Sequence, residues 1–175
     1  VVLDACVLYR PTLRRMLLTL AAHGGFRPIW SERLWDEWER ARLRAGDDPS
    51  AERAAICAAH PAAMVAHDAV ALEQVLAACD RDAQRSDAHV VATAIGVGRI
   101  LTFNLADFPP RLLRPFGVVA ETPVAFAARL AVAVPGAFLA MADAWEGGRA
   151  ECLRHLADDL RLRRCARILA TAFAM

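Results

Sequence analysis

Short apolar runs alternate with longer apolar stripes over the first two thirds of the chain, and polar or turn-forming residues close each of them. Val1, Val2 and Leu3 form a run ended by Asp4, which predicts a short buried strand. After Pro11, a residue suited to a first helical turn, Leu13, Met16, Leu17 and Leu20 make one helical face that Gly24 and Gly25 stop. Phe26 to Trp30 predicts a second strand, and Ser31 an N-cap for a helix to about Ala45 with Glu32 in its first turn. Leu34, Trp38, Ala41 and Ala45 form the buried stripe of that helix, and Glu37 lies at its margin, where a side chain can point into a cleft.

A loop over Gly46, Asp47, Asp48 and Pro49 leads to a helix ending near His60 and Pro61, followed by a third short strand at Met64 to Ala66 and a helix from Ala69 to Cys79. A polar run, Asp80 to Arg85, delivers the chain to Asp87, which opens a helix carrying Val90, Val91, Ala94 and Ile95. Gly96 and Gly98 end it, Ile100 to Thr102 reads as a strand, and Asp107 lies just beyond. Pro109 and Pro110 turn the chain out, Val118 to Ala120 predicts an edge strand, and Thr122 with Pro123 the cap and first residue of a helix. From there the chain reads as helices separated near Pro135, Gly147 and Gly148, and Asp158 to Arg161. Strands alternating with helices imply an α/β domain with a parallel sheet of four to five strands and helices on both faces. The boundary falls after residue 123, with 124–175 a helical extension packed on the same domain.

With 175 residues and no flexible linker, the chain is long enough for a full core. Its 57% hydrophobic content excludes wholesale disorder, and a net charge of +1 gives no gross basic excess toward nucleic acid. All 21 basic residues are arginine, whose planar fork suits phosphate, although genome base composition produces the same bias. Five widely spaced cysteines with no CxxC pair argue against a disulfide framework or structural zinc and for a reducing, cytoplasmic setting. The chain opens on the expected strand and not on a signal peptide. Val124 to Ala142 approaches the length of a membrane span, but Arg129 and Pro135 interrupt it, so two buried helices and no membrane are expected.

Asp4 and Asp107 stand at the exits of strands, where ligands collect in open parallel sheets, and Asp87 opens the helix between them. That placement suggests a metal site. Each acid also has a bland use: Asp87 can complement a helix dipole, Asp107 can form an Asx turn, and Glu37 can be a solvated helix residue. Asp4 has few such uses. His89 reads as a packed or surface residue, and His23, His60, His67 and His155 lack metal-ligand spacing. Arg10, Arg14 and Arg15 after Asp4, and Arg81 and Arg85 before Asp87, are candidate phosphate contacts or ordinary surface charge. Trp30, Trp35, Trp38 and Trp145 offer base stacking or, as expected for most, core packing.

Asp4 after its strand, SERLWDEW with Glu37, SDAHVVATA with Asp87, and TFNLADF with Thr102, Asn104 and Asp107 together resemble the PIN domain, specifically the ribonuclease toxins of VapC type. The resemblance covers about the first two thirds of the chain. It implies a Rossmann-like sheet with helices on both sides, a bound Mg²⁺ or Mn²⁺, cleavage of RNA, and an acidic quartet of Asp4, Glu37, Asp87 and Asp107 supported by Thr102 and Asn104. It also implies a homodimer and a cognate antitoxin protein that blocks the pocket. One position departs: Cys6 stands where the family carries Asn or Ser.

Hard divalent ions take oxygen ligands, which these carboxylates supply. Asp4 and Asp87 are the expected direct ligands, with Glu37 and Asp107 bound directly or through water and able to orient the attacking water. Arg10 is a candidate substrate contact. A haloacid dehalogenase-like phosphatase needs a second Asp where Cys6 stands, and dinucleotide binding needs glycines between a strand and a helix, whereas Gly96 and Gly98 follow a helix. The remaining alternatives are a catalytically impaired PIN-like binding module and a housekeeping PIN nuclease without an antitoxin.

Overall fold

The computed structural model describes residues 1–66, 68–158 and 163–173 of a mixed α/β chain. His67 and the expected break at 159–161 lie outside the described residues. In order, the first elements are β1 (Val2–Leu3), α1 (Ala5–Leu8), α2 (Pro11–Ala22), β2 (Trp30–Ser31), α3 (Glu32–Arg44), α4 (Ser50–Ala59), β3 (Met64–Val65) and α5 (Ala69–Ala78). Then come α6 (Asp82–Ser86), α7 (Ala88–Ala94), β4 (Arg99–Leu101), α8 (Pro110–Leu113), β5 (Val119–Glu121), α9 (Pro123–Ala133), α10 (Pro135–Asp143), α11 (Gly148–Asp158) and α12 (Arg163–Phe173). The chain divides into two compact units, one of Val1–Tyr9 with Pro28–Glu121 and the other of Arg10–Arg27 with the chain from Thr122 onward.

The first unit holds a three-stranded parallel sheet in the order β1-β4-β5 and a separate parallel pair, β2-β3. A lone bridge between Val2 and Ile29 connects the two sets. The five-residue strand expected at Phe26 to Trp30 is shortened to Trp30–Ser31, because Pro28 has no N–H to give a ladder. Within the sheet Leu3 stands opposite Leu101, and the Asp4 N–H continues the ladder to the Leu101 carbonyl at 3.1 Å. A parallel register therefore sets the exits of β1 and β4 side by side, which brings Asp4 next to Thr102 across almost a hundred residues of sequence.

Beside this sheet α3 buries Leu34, Trp35 and Trp38, each fully enclosed. The expected stripe is corrected at its end: Ala45 is exposed, and Trp35, left out of the stripe, joins it. Trp30 and Trp35 meet edge to face at 5.3 Å and Trp35 and Trp38 at 4.9 Å, a favoured geometry for rings. The Trp38 indole N–H donates to the Leu8 carbonyl at 3.1 Å, satisfying one of the carbonyls left over at the end of α1. Trp38→Phe is expected to lower the unfolding free energy by about 1 kcal/mol, because it removes that buried bond; urea denaturation with an unchanged midpoint would rule the bond out as a support.

In the second unit α2 turns Leu13, Met16, Leu17 and Leu20 inward and packs on α10 and α11. Phe26 meets Phe126 edge to face at 5.0 Å. The Thr122 hydroxyl accepts from the Ala125 N–H at 3.2 Å, with Pro123 as first helical residue, so the expected cap forms. The apolar stretch after it is two helices bent by 108°. Among the described residues no single helix is long and apolar enough to cross a membrane. Arg14 is buried, and the Arg15 guanidinium lies 4.3 Å from the Trp145 ring centre and 3.7 Å from Glu146, so Arg15 is engaged within this unit.

Candidate active site

The first unit gathers Asp4, Glu37, Asp87, Thr102, Asn104 and Asp107 on segments that leave β1, run along α3, open α7 and follow β4. Arg10, the residue before α2, falls in the other unit.

Asp4 is held by its neighbours. The buried Thr102 hydroxyl donates to Asp4 Oδ2 at 2.6 Å, and the Cys6 thiol reaches the same oxygen at 3.1 Å. Thr102 also accepts the Asn104 N–H at 2.9 Å, and the Phe103 N–H donates to the Cys6 sulfur at 3.4 Å. Burial, with the Asp4 charge beside it, pushes the Cys6 thiol up to about 12, so it stays protonated and remains a donor. Cys6 thus supplies a hydrogen bond to Asp4 Oδ2. The second oxygen of Asp4 is left without a hydrogen-bond donor among the described residues.

Asp87 is the junction of α6 and α7, and its main chain is already used: its N–H bonds the Ala83 carbonyl and its carbonyl accepts from Val90. Its backbone angles, φ −96° and ψ 5°, do not place the carboxylate over the first turn, and it makes no capping hydrogen bond. Nor does it have a hydrogen-bond or ion-pair partner elsewhere among the described residues. A half-buried carboxylate without a donor is unfavourable. Burial, followed by the charges of Asp4, Asp107 and Glu37, pushes Asp87 from an ordinary 3.8 up to about 6. The three other predicted acids are therefore the charges that press on this one, and Asp4 is the strongest of them.

Asp107 ends a 3₁₀ turn, Leu105–Asp107, and the Asn104 side-chain amide donates to its carboxylate. Glu37 is flanked by two residues whose roles the sequence did not reveal. Fully buried His89 points Nε2 at Glu37 Oε1 from 3.3 Å, while its Nδ1 faces the Ser86 carbonyl at 3.2 Å. Arg33 Nε lies 3.8 Å from the same Glu37 oxygen. Their signals were spacing alone: Arg33 is four residues before Glu37 on one helix, and His89 follows Asp87 by two. His89 is packed, as expected, but packed against an acid of the site.

Asp4, Asp107 and Glu37, whose charges reach Asp87, carry carboxylate oxygens, the donor type that suits a hard divalent ion, while His89 acts on Asp87 in the opposite sense. A cation among them would relieve the mutual repulsion that lifts Asp87. Among the described residues no group of three or more His, Cys, Asp or Glu side chains stands close enough together to hold a metal ion as placed. The four tryptophans are all at most 3% exposed, so base stacking on them is ruled out and they serve the cores. Compared with models of known families, with curated proteins and with solved structures, the chain matches none.

Proposed function

We propose that this chain is a metal-dependent endoribonuclease of PIN-like architecture, hydrolysing RNA phosphodiester bonds with Mg²⁺ or Mn²⁺. The observation that carries the reading is the unpartnered Asp87, pressed upward by burial and by Asp4, Asp107 and Glu37. In this reading the PIN-like sheet runs β3-β2-β1-β4-β5, with the Val2–Ile29 bridge joining the strand pair to the three-stranded sheet.

Asp4 and Asp87 would hold the ion directly, and Glu37 and Asp107 directly or through water. When bound, such an ion lowers the pKa of a water and neutralises charge developing on the phosphate. The chain's own residues keep the acids in place for this. Thr102 and Cys6 fix one oxygen of Asp4 and leave the other open; Asn104 orients Asp107; His89 and Arg33 stand beside Glu37, which could orient a water for attack. Cys6, the departure from the family pattern that would favour a catalytically impaired binding module, donates to Asp4, which supports the nuclease reading.

The test is RNA cleavage with Mg²⁺ or Mn²⁺ and with EDTA, using wild type beside Asp4→Asn. Cleavage that needs the ion and disappears in the variant is expected; cleavage that survives the substitution, or none in wild type, would sink the reading. We further propose that the enzyme works in the cytoplasm as the toxin of a toxin and antitoxin pair, as a homodimer inhibited by a partner protein. A small DNA-binding reading frame immediately upstream would separate this from a housekeeping nuclease, and sedimentation of the pure chain as a monomer would remove the dimer.

A further inference from the structure

Two arginines stand against the main chain that delivers Asp87 and Asp107. Arg33 Nη2 donates to the Ser86 carbonyl at 3.4 Å, and Arg81 Nη2 donates to the Ala106 carbonyl at 2.7 Å. In both cases the acceptor is the residue immediately before a site aspartate. Both side chains are exposed. A guanidinium carries five N–H donors, so one bond to a carbonyl fixes the position of the cation and leaves most of its fork open.

The charges of these two are also little used. Among the described residues Arg81 has no carboxylate partner, and Arg33 has one contact, to Glu37, at 3.8 Å. Elsewhere in this unit Arg42 is matched by Asp47 and Glu52, and Arg53 by Glu32 and Glu39. A pocket of carboxylates repels a polyanion, so a phosphodiester can enter it only if cations beside the pocket hold the neighbouring phosphates. The acids are half-buried, which favours a flexible single strand over the flat phosphate track of a duplex.

We propose that Arg33 and Arg81 are the phosphate-binding rim of this pocket and hold the backbone of the single-stranded RNA that enters it. The proposal rests on the nuclease reading above and adds where the strand is gripped. Its test is the affinity for a short labelled single-stranded RNA of mixed sequence, measured by fluorescence anisotropy over a salt series in EDTA, with cleavage in Mg²⁺ measured in parallel. Each neutralised phosphate contributes about 0.7 to the slope of log affinity against log salt for a single strand, so Arg33→Ala and Arg81→Ala should each lower the slope by about 0.7 and the affinity about fivefold at roughly 0.1 M salt. Arg154→Ala, which removes a charge already matched by Glu151 and Asp158, should leave the slope unchanged.

Arg33→Lys and Arg81→Lys should restore the slope, because it counts charges, whereas a fault in folding or in the bond to a carbonyl would persist. Slopes unaltered in both alanine variants, failure of lysine to restore them, or no RNA binding in EDTA would overturn the rim while leaving the nuclease reading intact, provided that wild type cleaves in Mg²⁺. Absence of cleavage as well would overturn both.

Discussion

Replacing Asp87 with Asn should abolish metal-dependent cleavage while making the metal-free protein more stable. The two effects have one cause. Asp87 is pushed up from 3.8 to about 6, first by burial and then by Asp4, Asp107 and Glu37, so the folded chain holds a proton there that the unfolded chain has already released. Between those two values the native state binds more protons, and the unfolding free energy must fall as pH rises through that window. Above it the charged carboxylate is a standing destabilisation, worth about 3 kcal/mol at full weight and about 1–2 kcal/mol once its remaining contact with water is counted.

Asparagine keeps the shape and removes the charge. Denaturation in EDTA above pH 7 should therefore show the variant more stable by about 1–2 kcal/mol, without the wild type's loss between about pH 4 and 6. Saturating Mg²⁺ should reverse the order, since an ion at about a hundred times its Kd stabilises wild type by about 2.7 kcal/mol and the variant little. Cleavage should fall roughly a thousandfold or more, the loss of several kcal/mol of charge neutralisation. A variant less stable than wild type in EDTA would mean that the acids do not crowd position 87.

Thr102→Val should be nearly as damaging to the site, with the opposite effect on stability. The hydroxyl donates to Asp4 Oδ2 at 2.6 Å and accepts from the Asn104 N–H at 2.9 Å, so it ties an acid of β1 to the loop that carries Asn104 and Asp107. Valine fills the same space without either bond. The Asn104 N–H loses its part-buried acceptor, costing about 1 kcal/mol, and Asp4 is left to the Cys6 thiol alone. Loss of a residue that orients a ligand usually weakens metal binding about 10- to 100-fold. Calorimetric titration with Mn²⁺ should show that loss for Val and its recovery with Thr102→Ser, which keeps the hydroxyl. Unchanged Mn²⁺ affinity in the valine variant would show that Asp4 needs no such support.

Much of the local structure was legible from residue pattern. Thr122 and Pro123 mark a helix start because a hydroxyl and a ring without an N–H suit that position, and they form it. Pro135 breaks the apolar stretch for the same steric reason. Pattern failed where two signals competed. The run Phe26 to Trp30 looked like a strand, but Pro28 removes a ladder donor, and Phe26 is used instead against Phe126. Trp35 fell outside a one-sided stripe, yet a ring of its size fills the space between Trp30 and Trp38.

The sequence by itself determined where acids would stand relative to strand exits and helix starts, because those boundaries follow from apolar period, proline and glycine, all local. Only the tertiary structure decided that α2, whose apolar face named no partner, packs with the C-terminal helices and takes Arg10 and Arg15 into the second unit. It also decided that parallel pairing of β1 and β4 hands Thr102 to Asp4, and that Asp87 does not cap the helix it opens. Partnership between residues a hundred positions apart depends on register and packing, which no local pattern encodes.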